Sequence, residues 1–235
     1  MYQNLIPSLF CILVSFGVPL AALILAVKRK NHYVKPFFIG ALTFFVSQIL
    51  LRLPILQLWL ANQSWFMVLP VQNPWLYSLL LGFSASVFEE TGRYLAFRFL
   101  LKKNLRWFDG VVFGAGHGGM EAILLVGVNY IVMLFLYGGT PGDPAMILFA
   151  GLERLSAMAS HIGMSMLVLQ SVRKRSPLYL VMALLVHGIM DSGIGVLQIY
   201  GFQTGAIEAF LGVVGIALAA YTVYAKKAFA AKAAY

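Results

Sequence analysis

Residues 72–106 read QNPWLYSLLLGFSASVFEETGRYLAFRFLLKKNLR. The apolar run is long enough to cross about 30 Å of hydrocarbon and ends on Lys102, Lys103 and Arg106. Its interior nevertheless carries Glu89, Glu90 and Arg93. Ionisable groups in such a run are costly, so they face a bundle interior, pair with one another and mark a site. The stretch therefore reads as one membrane helix of a polytopic bundle, with a hydrolytic or metal centre at mid-depth.

Comparable apolar runs recur at about 4–27, 37–60, 72–101, 109–137, 146–172, 178–199 and 205–225. Only 11% of the 235 residues are charged, against about 25% in a soluble domain, and no segment is left for a soluble domain. The expected fold is all-α: a single seven-helix membrane bundle over residues 1–235. The net charge of +9 does not indicate nucleic acid, because the cations are placed by topology. Lys28, Arg29, Lys30 and Lys35 follow the first run, and Arg173, Lys174 and Arg175 the fifth. Lys226, Lys227 and Lys232 follow the seventh, while residues 61–71, 138–145 and 200–204 contain no Lys or Arg. Basic loops stay cytoplasmic, which puts the N-terminus outside and the C-terminus in the cytoplasm. The first run has no positive flank before it, so it is expected to be a retained span rather than a cleaved signal. The single cysteine, Cys11, excludes an internal disulfide.

Counting from the nearest cytoplasmic cation fixes depth. Glu90 lies 12 positions from Lys102, His117 11 from Arg106, His161 12 from Arg173 and His187 12 from Arg175. At about 1.5 Å per residue, all four sit roughly 16–18 Å from their anchors, in one layer. Glu89 and Glu90 stand i,i+4 and i,i+3 to Arg93, so either can meet the guanidinium while the other faces a cavity as general base or acid. A plain inter-helix ion pair is the alternative for this segment. His117 lies among Gly114, Gly116, Gly118 and Gly119, which permit close approach by a helix or an extended peptide. Glu121 and Asp191 follow His117 and His187 by one turn, in HGGME and HGIMD, and each is a candidate ligand or a support for its histidine. His117, His161 and His187 supply three imidazoles, the ligand number of many catalytic zinc sites, although the HExxH spacing is absent.

EExxR at Glu89–Arg93, FxxxH at Phe113–His117 and HxxxD at His187–Asp191 resemble the CPBP superfamily. That group takes in the CAAX prenyl proteases, bacteriocin-processing and immunity-associated membrane proteins, and the PrsW proteases. His161, the HGGME segment and the seven-run layout look most like its YhfC branch, with a CPBP-like core at about 72–199. Two departures argue against prenylated substrates: two residues rather than three precede Arg93, and Asp191 stands where the CAAX enzymes carry Asn. The resemblance implies an intramembrane peptidase of the bacterial cytoplasmic membrane, acting on transmembrane or membrane-associated peptides. It implies a catalytic set of Glu89, Glu90, Arg93, His117, His187 and Asp191. Glu89 or Glu90 would activate water, Arg93 would hold the glutamates, and His117 and His187 would bind a metal or stabilise the oxyanion. The cofactor expected is Zn2+ on His117, His161 and His187, with Glu121 and Asp191 as further ligands; a metal-free glutamate mechanism is the alternative. The layout also resembles the non-proteolytic APH subunit of gamma-secretase, so a scaffold or bacteriocin-immunity protein is a second reading. A proton-coupled transporter is a third, though repeated halves are missing.

Overall fold

The computed structural model describes residues 4–102 and 105–230. Residues 1–3, Lys103 and Lys232, used above to orient the chain, lie outside them. The described residues form an all-helical bundle. Helix α1 spans Leu5–Arg29, α2 Val34–Asn62, and α3 is a short helix at Ser64–Gln72. Helix α4 runs over Pro74–Leu95 and continues as a π-helical turn, Ala96–Leu100. Then follow α5 (Trp107–Tyr137), α6 (Pro144–Lys174), α7 (Pro177–Ile199) and α8 (Thr204–Ala230).

Six of these are long and apolar enough to cross a membrane: α1, α2, α5, α6, α7 and α8. Helix α4 is not among them; it carries Glu89, Glu90 and Arg93, all buried, within its apolar sequence. Residues 64–71, expected to be part of a loop at 61–71, instead belong to α3.

Local chemistry sets the helix ends. The Asn73 side chain accepts from the Leu76 amide at 3.0 Å, with Pro74 in the first turn, and Asp143 does the same for Ala145 at 2.9 Å ahead of Pro144. Gly138 ends α5 in the left-handed region, at φ 71°. Pro54 has no amide hydrogen to offer the Leu50 carbonyl, and the preceding segment Phe45–Arg52 widens into π geometry.

Helix α6 is the hub: 72% of its most apolar stretch is buried, against 28% or less in the other five candidate spans. It is also the least apolar of the six. A soluble protein would bury its most apolar helix; here the polar helix is inside and residues such as Ile6, Phe135 and Ile216 face outward. Around α6, α4 packs on α7, α2 on α5, and α8 on α6 itself. The α2–α5 crossing is a backbone contact. A Cβ on Gly116 would lie 2.0 Å from the Phe37 carbonyl oxygen, and one on Gly40 2.1 Å from that of Phe113. The glycines around His117 are thus filled by the protein's own helices, with Gly114 against Ile162 of α6 and Gly119 against Pro19 of α1.

Candidate active site

The groups expected at one depth meet in one hydrogen-bonded network. Arg93, fully buried, is its centre. Its Nη1 donates to Glu90 Oε1, and its Nη2 donates to Glu89 Oε2 at 3.1 Å and to His161 Nδ1 at 2.6 Å. A guanidinium only donates, so His161 Nδ1 is the acceptor and the ring proton sits on Nε2. That nitrogen donates to Glu121 Oε2 at 2.5 Å. The other oxygen of Glu121 accepts from Arg154 Nη1 at 2.7 Å, and Arg154 also donates to Glu153.

Glu89 has a different set of partners from Glu90. Its Oε2 also accepts from His117 Nε2 at 2.8 Å, and its Oε1 accepts from Gln48 Nε2. Gln48 is held in turn by Arg52, which donates to its Oε1 at 3.0 Å, to Ser84 Oγ at 3.0 Å and to the Leu81 carbonyl at 2.7 Å. Glu90 is turned the other way, towards α7, where His187 Nδ1 donates to its Oε1 at 2.7 Å. The opposite nitrogen of His187, Nε2, lies 3.3 Å from Asp191 Oδ2. The His187 ring is thus bracketed by two carboxylates.

A cavity of about 220 Å³ opens beside this network. Glu89, Glu121, His161, His187 and Asp191 line it together with Gln48, Arg52, Glu153 and Arg154; Glu90, Arg93 and His117 lie behind that wall. This separates the two adjacent carboxylates: Glu89 faces the cavity, and Glu90 binds Arg93 and His187. The side chain of Asp191 is 30% exposed, that of Glu89 3%.

The two histidine–carboxylate segments behave differently. On α7, His187 and Asp191 contact each other as their spacing predicts. On α5, Glu121 reaches across to His161 on α6 instead of supporting His117. Gly118 makes this possible, because a Cβ there would lie 2.9 Å from His161 Cδ2.

Glu89, His117 and His161 each offer a donor atom, and these atoms lie within 4.8 Å of one another, all buried. Two imidazoles and one carboxylate form a ligand set of catalytic zinc sites. Glu121 behind His161 is the kind of carboxylate that orients a metal-bound imidazole. Among the described residues His117 Nδ1 is buried without a partner, and only Glu89 holds that ring by hydrogen bonding. These residues fit a divalent metal. The cluster contains Glu89 where three histidines were expected; His187, with ring centres 6.1 Å from His161, is bonded to Glu90 and Asp191.

The sequence reading placed neither Gln48 nor Arg52 in the site. The available signal was their i,i+4 spacing in an otherwise apolar run.

A family model described as YhfC intramembrane metalloprotease matches residues 10–139 and 141–223. The chain is also 33% identical over 239 residues to the "Uncharacterized membrane protein YhfC" of Bacillus subtilis (strain 168), covering 90% of each. A bundle of apolar helices that buries glutamate and histidine side chains able to hold a metal agrees with that description. This chain, an integral membrane protein, belongs to the YhfC intramembrane metalloprotease family.

Proposed function

We propose that this protein is an intramembrane endopeptidase of the bacterial cytoplasmic membrane that hydrolyses peptide bonds within or beside transmembrane segments. It crosses the membrane seven times, α4 included, with the N-terminus outside and the C-terminus in the cytoplasm. The observation that carries the reading is the convergence of Glu89 Oε2, His117 Nε2 and His161 Nδ1 next to a polar cavity deep in an otherwise apolar bundle.

Those three residues would hold the metal, and zinc suits two imidazoles and a carboxylate. A bound zinc supplies Lewis-acid polarisation of the peptide carbonyl and a more acidic water. The other roles belong to the chain. Asp191, the most exposed of the carboxylates in contact with the three buried histidines, takes the proton of the attacking water and returns it to the departing amine nitrogen. His187, fixed by Glu90, holds Asp191 in place. Gln48 and Arg52 fix the Glu89 carboxylate, and Glu121 with Arg154 fixes the His161 ring.

The test compares membrane-protein termini in cells carrying the unsubstituted protein, Glu89→Gln and Asp191→Asn. A set of new termini that depends on both residues is the expected result. An identical set of termini in all three strains, with the variants folded and present in the membrane, overturns the proposal. Zinc content of detergent-purified protein, lost in folded His117→Ala and His161→Ala variants, checks the ligand set separately.

A further inference from the structure

Resting on the peptidase reading, we infer that the active site is entered from the extracytoplasmic face, and that its substrate is the extracytoplasmic juxtamembrane segment of another membrane protein. The observation is an asymmetry about the layer of Glu89, His117, His161 and His187. On α4, α5, α6 and α7 the cavity wall extends from that layer away from the basic clusters, and on α2 it runs from Phe44 past Gln48 to Arg52 and Leu53. Arg52 lies beyond Gln48 on α2, and Leu125 lies beyond Glu121 on α5. Glu153 precedes His161 on α6, and Ile194 follows His187 on α7.

A second, wider cavity of about 690 Å³ continues in the same direction, between the start of α4 at Pro74 and the end of α7 at Ile199. Glu121, Glu153, Asp191 and Ile194 line both, so the two form one path. Its volume is in the range of sites that hold ligands, about 300–1,000 Å³. On the other side of the layer, towards Lys102, Arg106, Arg173 and Arg175, a separate cavity of about 370 Å³ opens among Arg98, Ser171, Arg175 and Ser176 but shares no lining residue with the site. Phe97, Phe113, Met164, Val168 and Ala183 are fully buried on that side and pack in one apolar cluster. Water and a polar backbone can reach Asp191 from the first side, whereas on the second this hydrocarbon stands in the way. Basic ends stay in the cytoplasm, so the open side is extracytoplasmic.

Cysteine accessibility tests the route without requiring catalysis. In a Cys11→Ser background, Ile194→Cys places a thiol on the shared wall and Ile189→Cys places one on the same helix, outside both cavities, at a position 56% exposed. A sulfonated, membrane-impermeant methanethiosulfonate is applied to sealed right-side-out and inverted vesicles. Ile194→Cys is expected to react at least tenfold faster than Ile189→Cys, and from the right-side-out face. Reaction from the inverted face only, or no faster than Ile189→Cys, overturns the inference. Leu81→Cys, on the opposite wall, gives the same reading if Ile194→Cys does not fold. Glu89-dependent termini are then mapped on their parent proteins. Cuts on the extracytoplasmic side support the substrate class, and cuts on the cytoplasmic flank overturn it. If no Glu89-dependent termini exist, the peptidase reading fails, and the labelling still decides which face the cavity opens to.

Discussion

Replacing Glu121 by Gln keeps the size of the side chain and removes its charge. Two bonds feel the change: His161 Nε2 at 2.5 Å and Arg154 Nη1 at 2.7 Å. A hydrogen bond to a charged group contributes about 1.5–3 kcal/mol, and one between neutral groups about 0.5–1.5, so the bond from the neutral His161 ring weakens by roughly 1–1.5 kcal/mol, while the still-charged Arg154 loses its ion-pair attraction but keeps a charge-assisted bond. The Arg154 share appears as lost stability, cushioned because Arg154 keeps Glu153. The His161 share appears in metal binding, because a ring whose Nε2–H is no longer held by a carboxylate is less basic and less fixed. Roughly 1–1.5 kcal/mol corresponds to a 5- to 13-fold rise in Kd, close to the 10- to 100-fold losses seen when such supports are removed. We therefore expect about tenfold weaker zinc binding in Glu121→Gln, measured on detergent-purified protein by competition with a chelator of known affinity. His117→Ala, which removes a donor atom outright, should lose far more. A Kd within twofold of the unsubstituted protein, accompanied by a lower unfolding temperature, would refute the reasoning. Glu121 would then be a structural partner of Arg154 and nothing more.

Three other substitutions probe the framework. Arg93→Met leaves Glu89 and Glu90 buried without their cation and should cost about 3–5 kcal/mol in detergent unfolding; Arg93→Lys should recover only part, since an ammonium cannot reproduce the planar fork. A loss below about 1 kcal/mol for the Met variant contradicts the network. Gly116→Ala places a Cβ 2.0 Å from the Phe37 carbonyl oxygen and should destabilise by about 1–3 kcal/mol. Gly212→Ala, with nothing within 4 Å, should be neutral or stabilising by up to about 1 kcal/mol, and equal effects at the two sites would disprove the close α2–α5 crossing. Gln48→Leu frees one oxygen of Glu89 and should slow production of Glu89-dependent termini on the order of tenfold in a folded protein, the loss typical of a support behind a ligand. An unchanged rate removes Gln48 from the site.

The depth of the site was legible because a helix rises by a fixed distance per residue and the basic clusters mark a common origin. That is why His161, on a helix that leaves the layer towards Arg173, was expected beside His117 and is found with ring centres 5.2 Å apart. Partner choice was not legible. Spacing along α5 put Glu121 below His117, but the contact depends on how closely α6 approaches at Gly118. Adjacent carboxylates point about 100° apart, so the sequence showed that one of Glu89 and Glu90 would face a cavity. Which one follows from packing: α7 brings His187 to Glu90, while α2 and α5 bring Gln48 and His117 to Glu89. Gln48 and Arg52 were hidden for a further reason. The π turns ahead of Pro54 rotate α2 away from the face that an ideal 3.6-residue period assigns.

Arg93 gives the paired glutamates a common explanation. Its Nη2 binds Glu89 Oε2 and His161 Nδ1, two of the three atoms that fit a metal. His161 Nδ1 has a single lone pair, so a metal held there would require Arg93 to give up that bond, whereas a Glu89 oxygen has two lone pairs and could keep Arg93 beside a metal. A free guanidinium in this buried position would be costly, as charges there must be paired. Glu90 removes the difficulty, because it already holds Nη1 and is not one of the three donors. Glu89 would thus be the carboxylate that turns to a metal, and Glu90 the one that keeps Arg93 in place when the His161 bond is released. Glu90→Gln should then weaken zinc binding without removing any donor atom, whereas His187→Gln, which leaves the Glu90–Arg93 pair intact, should leave zinc affinity nearly unchanged. The reverse order of effects would show that Glu90 serves His187 alone.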